Sequence, residues 1–177
     1  MIFIILSIIL WLASVACLYR KQVLAPGLSF LALLSMSFAS SGGMPLLPIS
    51  PAMMWGWLAI TIVVMVAVIL QPINVRDDTL GAGYMLCGGI TGLAVGLLGF
   101  TVSNSIRILY GIMVVAVAAG VFFGYLLYTR TPNGRPFATG STRFTRYLLA
   151  KGFPTAITVM QMGVALVLTV ALYRLLQ

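Results

Sequence analysis

The chain has 177 residues, 62% of them hydrophobic and 7% charged, and its 10 Lys and Arg against 2 Asp and Glu give a formal net charge of +8. Soluble domains carry about a quarter charged residues, so a polar globular domain is excluded; at about 20 apolar residues per crossing, the length has room for roughly six membrane spans. His and Glu are absent and the neighbours Asp77 and Asp78 are the only carboxylates, which removes most acid–base catalysis and leaves any metal site short of ligands.

Six apolar blocks follow in chain order, at about 2–19, 24–40, 53–70, 80–100, 106–128 and 154–176, each near the length that crosses a hydrocarbon core at 1.5 Å per residue. The expected fold is an all-α integral membrane bundle of six transmembrane helices with short loops. In the first block, Arg20 and Lys21 follow the apolar stretch, whereas a signal peptide carries its charge in front. A retained span is expected, with those two cations inside. The second block is the shortest, and its flanks Ala25-Pro26-Gly27 and Ser40-Ser41-Gly42-Gly43-Met44-Pro45 hold helix-breaking residues. A full span, a tilted span and a re-entrant segment all fit it, and a span is expected. With six alternating crossings, Arg20, Lys21, Arg76, Arg130, Arg135, Arg143, Arg146 and Lys151 fall inside while only Arg107 and Arg174 fall outside. That asymmetry follows the positive-inside rule and places both termini outside. Trp55, Trp57, Tyr110 and Tyr173 then lie near the outer interface, and Tyr19, Tyr84, Tyr125, Tyr128 and Tyr147 near the inner one.

Asp77 and Asp78 precede the fourth block, where acids suit a helix N-terminus as caps. Within that block Gly81, Gly88, Gly92, Gly96 and Gly99 cluster in an arc of about 80° on the helical wheel. Such a bare ridge lets a second helix approach backbone to backbone. A shorter face of Ala116, Gly120 and Gly124 marks the fifth block and is its natural mate. Packing within the bundle, a homo-oligomer seam and a contact with another subunit give the same pattern. Cys17 and Cys87 have no basic sequence neighbour to activate them and are expected to be small apolar fillers.

Residues 129–153 form the one long loop expected, cytoplasmic and basic. It carries Arg130, Arg135, Arg143, Arg146 and Lys151, no acid, and Phe137, Phe144 and Tyr147 interleaved. Basic and aromatic residues at a bilayer surface point to contact with anionic headgroups, and a location at the inner leaflet makes lipid, not nucleic acid, the nearest polyanion. The sixth block carries Thr155, Thr158, Gln161 and Thr169 within an arc of about 120°. The Thr hydroxyls can bond the preceding turn, but the Gln161 amide needs a partner on another helix or a solute. Ser29, Ser35, Ser37 and Ser40 of the second block are the candidates to face it, with Ser37 and Ser40 a possible polar lining alongside the Thr residues.

No block carries an ionisable side chain at its middle, which disfavours a proton relay or a charged-substrate site. There is no phosphate loop and no zinc-protease helix, and no cofactor or metal is expected. Three function classes remain: a non-catalytic subunit or assembly component packing through Gly-rich faces, a compact channel or transporter for a neutral or lipid-like solute, and, least favoured, an intramembrane enzyme. The subunit reading leads, with anionic lipid and either other membrane subunits or further copies of the chain as partners. The small size, the uncleaved first span and the opening Met-Ile-Phe lead us to expect a bacterial inner membrane.

Overall fold

A computed structural model describes residues 2–20, 22–41, 44–45, 47, 49–72, 79–101, 105–138 and 141–175. Lys21, Arg76, Asp77 and Asp78 lie outside the described residues, so the capping role expected of the two acids falls outside them as well; the side chains of Tyr173 and Arg174 are likewise not described. The elements are α1 (Ile2–Arg20), α2 (Leu24–Ser37), a two-residue antiparallel pair β1 (Ser40–Ser41) and β2 (Met44–Pro45), α3 (Pro51–Ile69), α4 (Thr79–Leu97), α5 (Ile106–Thr129), the short α6 (Arg135–Ala138) and α7 (Ser141–Tyr147), and α8 (Phe153–Leu175). A 3₁₀ turn, Leu98–Thr101, extends α4, and a π-helical turn, Leu148–Gly152, joins α7 to α8. Lipid offers the backbone no hydrogen bonds, so each apolar segment pairs its own N–H and C=O groups as helix. The α3 start is explicit in the sequence: Pro51 opens the helix and Ser50 accepts from the Met53 N–H at 3.3 Å.

Five helical runs are long and apolar enough to cross a membrane: Ile2–Arg20, Pro51–Ile69, Thr79–Leu97, Ile106–Thr129 and Thr142–Val170. The second block is a helix of 14 residues, about 21 Å long, shorter than the 24–40 expected because the chain leaves the helix at Phe38.

Side-chain contacts fix the helix directions. Ser7 Oγ lies 2.7 Å from Ser35 Oγ, and Ser14 Oγ donates to the Ala25 carbonyl at 2.7 Å, so α1 and α2 are antiparallel. Tyr19, at the end of α1, sits against Gly83 near the start of α4. Gly88 meets Gly120, Gly92 meets Ala116 and Gly96 meets Met113, an antiparallel α4–α5 pair that is the most extensive in the molecule. Gly152 sits beside Val121 and Gly163 beside Met113, so α8 opposes α5. Thr61 meets Gln161, and Ala67 lines a groove with Leu149, so α3 opposes α8. The ends of α1, α3 and α5 and the starts of α4 and α8 therefore share one end of the bundle. Because α1 and α3 run the same way, α2 is the return between them.

The last helix is the centre of the fold: α8 packs on α2, α5, α4, α3 and α1, and the run containing it is the most buried of the five long ones. By contrast α1 and α3 bury little and expose Leu12, Ile62 and Val63 broadly, as lipid-facing helices do.

The expected loop 129–153 is mostly helical instead. Helix runs without interruption from Ser141 through Pro154, so the last span begins more than a dozen residues before its expected start. Pro154 lacks an N–H and cannot donate to the Ala150 carbonyl, and the five-residue π turn just before it is the widening that absorbs the lost bond. Aromatic rings hold the segment to the bundle: the buried Tyr147 ring has its centroid 4.7 Å from Phe137, 5.7 Å from Tyr125 and 5.8 Å from Tyr128. The Tyr125 hydroxyl also donates to the Phe137 carbonyl at 3.0 Å. Ring pairs of this kind contribute about 0.5–1.5 kcal/mol each beyond their buried area, enough to fix a segment that composition alone marks as loop.

Candidate functional site

The polar stripe of α8 is turned into the bundle. Gln161 is 0% exposed, and its amide nitrogen donates to Thr61 Oγ1 on α3 at 2.9 Å, while Thr61 donates to the Trp57 carbonyl at 2.7 Å. The partner is therefore Thr61 and not a serine of α2. Those serines are engaged elsewhere: Ser29 reaches α8 one turn earlier and donates to the Thr158 carbonyl at 3.2 Å, Ser35 pairs with Ser7 and the Ala32 carbonyl, and Ser37 bonds the Leu34 carbonyl at 2.7 Å. Ser40 lies in β1 and is exposed, so it lines nothing around Gln161. Thr155 and Thr169 bond the carbonyls of Lys151 and Ala165, each at 2.8 Å. Two buried polar atoms of α8, the Gln161 Oε1 acceptor and the Thr158 hydroxyl, have no hydrogen-bond partner among the described residues.

Thr61 escaped the sequence reading although a signal existed. Apart from two Trp indoles, it is the one side chain in α3 able to hydrogen-bond, and it sits near mid-helix like Gln161. Ser7 and Ser14, the two serines of α1, are both buried, and their seven-residue spacing places them on one face.

The glycine ridge of α4 and the small face of α5 meet within one chain. A Cβ at Gly88 would fall onto the Gly120 carbonyl, one at Gly92 onto the Ala116 carbonyl, and one at Gly124 onto the Tyr84 carbonyl; at Gly96 it would stand 2.9 Å from the Met113 Cα. Gly99 contacts the Ile112 and Leu109 side chains, and Gly81 is buried in the first turn of α4. The same pair also borders a groove of about 410 Å³, lined by Gly83, Tyr84, Cys87, Thr91, Phe123 and Leu127 together with the seam residues Gly88 and Gly124. Cys87 is exposed there and does not fill the core as expected.

At the shared end of the bundle Arg130, Arg135, Arg143 and Arg146 are exposed, and the Arg143 guanidinium donates to the Pro136 carbonyl at 3.2 Å. Lys151 departs from its expected place on the headgroup surface: it is 0% exposed, inside the π turn. The helix that begins at Ser141 carries it onto the inward face, where Ala150, Gly152 and Thr155 are also buried.

Groups of three or more His, Cys, Asp or Glu able to hold a metal are absent among the described residues. No family model, curated protein or solved structure matches the chain. Its long apolar helices define it as a membrane-embedded, multi-pass, all-helical protein.

Proposed function

We propose that the chain crosses a bacterial inner membrane six times with both termini outside, and serves as a non-catalytic subunit or accessory component of a larger membrane assembly. The parallel course of α1 and α3 supports the six crossings, since a return passage must lie between them and α2 occupies it. The charge asymmetry gives the orientation: Arg130, Arg135, Arg143 and Arg146 gather at the end where α1, α3 and α5 finish. Tyr19, Tyr84, Tyr125, Tyr128 and Tyr147 converge on the same end, in keeping with an interfacial belt.

The observation that carries the subunit reading is the outer groove of the α4–α5 pair. The ridge of Gly88, Gly92 and Gly96 is used inside the chain, but Cys87 and Thr91, four residues apart, continue a line of small residues from Gly83, which abuts Tyr19 of α1, along the outer groove. Such a floor admits a second transmembrane helix to close range. Native mass spectrometry of the gently solubilised particle is the test. The expected result is a second polypeptide at fixed stoichiometry that Cys87→Trp displaces by filling the groove. A lone chain, or a partner indifferent to Cys87→Trp, sinks the assignment.

A second reading, a facilitator for a small neutral solute, draws on the unpartnered Gln161 Oε1 and Thr158 Oγ1, since buried polar atoms without partners mark places where a mobile solute can bond. For that reading Gln161→Leu abolishes glycerol or urea flux in proteoliposomes while the fold is kept; undiminished flux removes it.

A further inference from the structure

The π turn between α7 and α8 sits between two apolar grooves that share one side chain. The first, of about 420 Å³, runs between α3 and the last helix and is lined by Ile60, Val63, Ala67, Leu149, Phe153 and Ile157 among others. The second, of about 240 Å³, runs between α5 and the last helix along Ala118, Phe122, Leu148, Phe153 and Ala156. Phe153 is 43% exposed and forms the ridge between them. Both grooves run along the first turns of the last helix, the first over the nine positions from Leu149 to Ile157, about 12 Å of helix.

Arg143 and Arg146 are three apart on α7, a spacing that makes helical side chains neighbours at about 5–6 Å, and Arg146 precedes Leu149 of the π turn by three positions. Both arginines are exposed, and no acidic residue occurs anywhere from Thr79 to Gln177. The aromatic contacts of Tyr147 and Phe137 hold this cationic turn against the bundle, immediately before Leu148 and Leu149, the first residues of the last helical run to line the two grooves.

We propose that this elbow is a binding site for one anionic diacyl phospholipid, with its phosphate at Arg143 and Arg146 and one acyl chain on each side of Phe153. Every lipid-facing groove holds some hydrocarbon, and a helix interface alone does not select among lipids. Two grooves on either side of one side chain, just after a cationic turn, do: they match the shape of a lipid with two chains and the charge of one with a net negative headgroup. The subunit reading is not needed for this proposal, because the outer α4–α5 groove is formed by other residues.

The test uses the full chain in detergent, delipidated and then titrated with phosphatidylglycerol, phosphatidylcholine of the same chains, a single-chain lysophosphatidylglycerol, or glycerol phosphate, with retention read by native mass spectrometry. One phosphatidylglycerol per chain is expected to persist under activation that strips phosphatidylcholine, with an affinity at least tenfold higher. Each cation near an anionic surface contributes about fivefold, so Arg146→Gln and Arg143→Gln each lower phosphatidylglycerol retention by about that factor and leave phosphatidylcholine unchanged. Both residues are exposed, and Arg143 also bonds the Pro136 carbonyl, so melting in the same detergent checks that each variant keeps the fold. Ala67→Phe, which plugs the first groove, removes the preference for two chains over one. Equal retention of phosphatidylglycerol and phosphatidylcholine, or indifference to both Arg variants, overturns the proposal. Binding of glycerol phosphate as tight as phosphatidylglycerol overturns it too, since the grooves would then contribute nothing.

Discussion

Gly88→Val is expected to destabilise the bundle by about 3 kcal/mol or more, while Gly56→Ala and Gly111→Ala leave it unchanged or slightly more stable. All three positions are helical glycines, and in a helix interior Gly is worse than Ala by about 0.5–1 kcal/mol on conformational grounds alone. At Gly56 and Gly111 a Cβ meets nothing within 4 Å, so only the conformational gain remains. At Gly88 the Cβ falls onto the Gly120 carbonyl and within 3.1 Å of the Gly124 nitrogen. Those obstacles are backbone, which cannot swing aside as a flexible side chain can, so α4 and α5 must separate along the seam. Overpacking in cores costs about 1–3 kcal/mol where side chains can adjust, and the rigid case lies at or above the top of that range. Thermal denaturation in one detergent, followed by circular dichroism and by monodispersity, reads the difference. A Gly88→Val protein that melts with the wild type would mean that the seam is not the close contact described.

The same seam shows how far the sequence goes. Helix positions were legible to within about three residues for most spans, because a membrane leaves the backbone no alternative to helix and hydropathy marks its length. The two small faces were also legible from spacing. Their meeting within one chain was not, since a seam between copies has the same periodicity. Direction and neighbourhood come from contacts such as Gly88 with Gly120 and Ser14 with Ala25, which no single helix encodes.

The polar residues were harder to read for a different physical reason. Four serines on the second block stood as the candidates for Gln161, yet Ser35 and Ser37 bond carbonyls three residues back in their own helix. Number therefore said little about which hydroxyl was available to Gln161. The basic stretch failed similarly: Arg, Gly and Pro mark loop by composition, but Phe144 and Tyr147 three apart on one helical face dock on Tyr125 and Tyr128, and tertiary packing makes the segment helix. Once it is helix, Lys151 follows the helix phase to the interior and not the rule that charges stay outside.

Thr61→Val is expected to cost about 1–3 kcal/mol, more than the apparently harsher Gln161→Leu, which should be neutral or nearly so. The asymmetry follows from what each change leaves behind. Valine removes the acceptor at 2.9 Å from the Gln161 amide and strands a buried donor on a residue that is 0% exposed, beside a carbonyl oxygen that already lacks a partner. Leucine removes donor, acceptor and the unpartnered Oε1 together, losing one interhelical bond of about 0.6–2 kcal/mol but relieving a desolvated carbonyl of similar cost. Thr61 keeps its own bond to the Trp57 carbonyl in that variant. The double variant Thr61→Val with Gln161→Leu should recover most of what Thr61→Val loses, giving a coupling of about 1 kcal/mol or more in a double-mutant cycle of melting free energies. Additive losses would mean that the amide and the hydroxyl do not act as a pair. Recovery in the double variant would mean that Gln161 contributes little net stability, and its retention at the bundle centre would then have to be explained by orientation of α3 against α8 or by a solute at its free carbonyl.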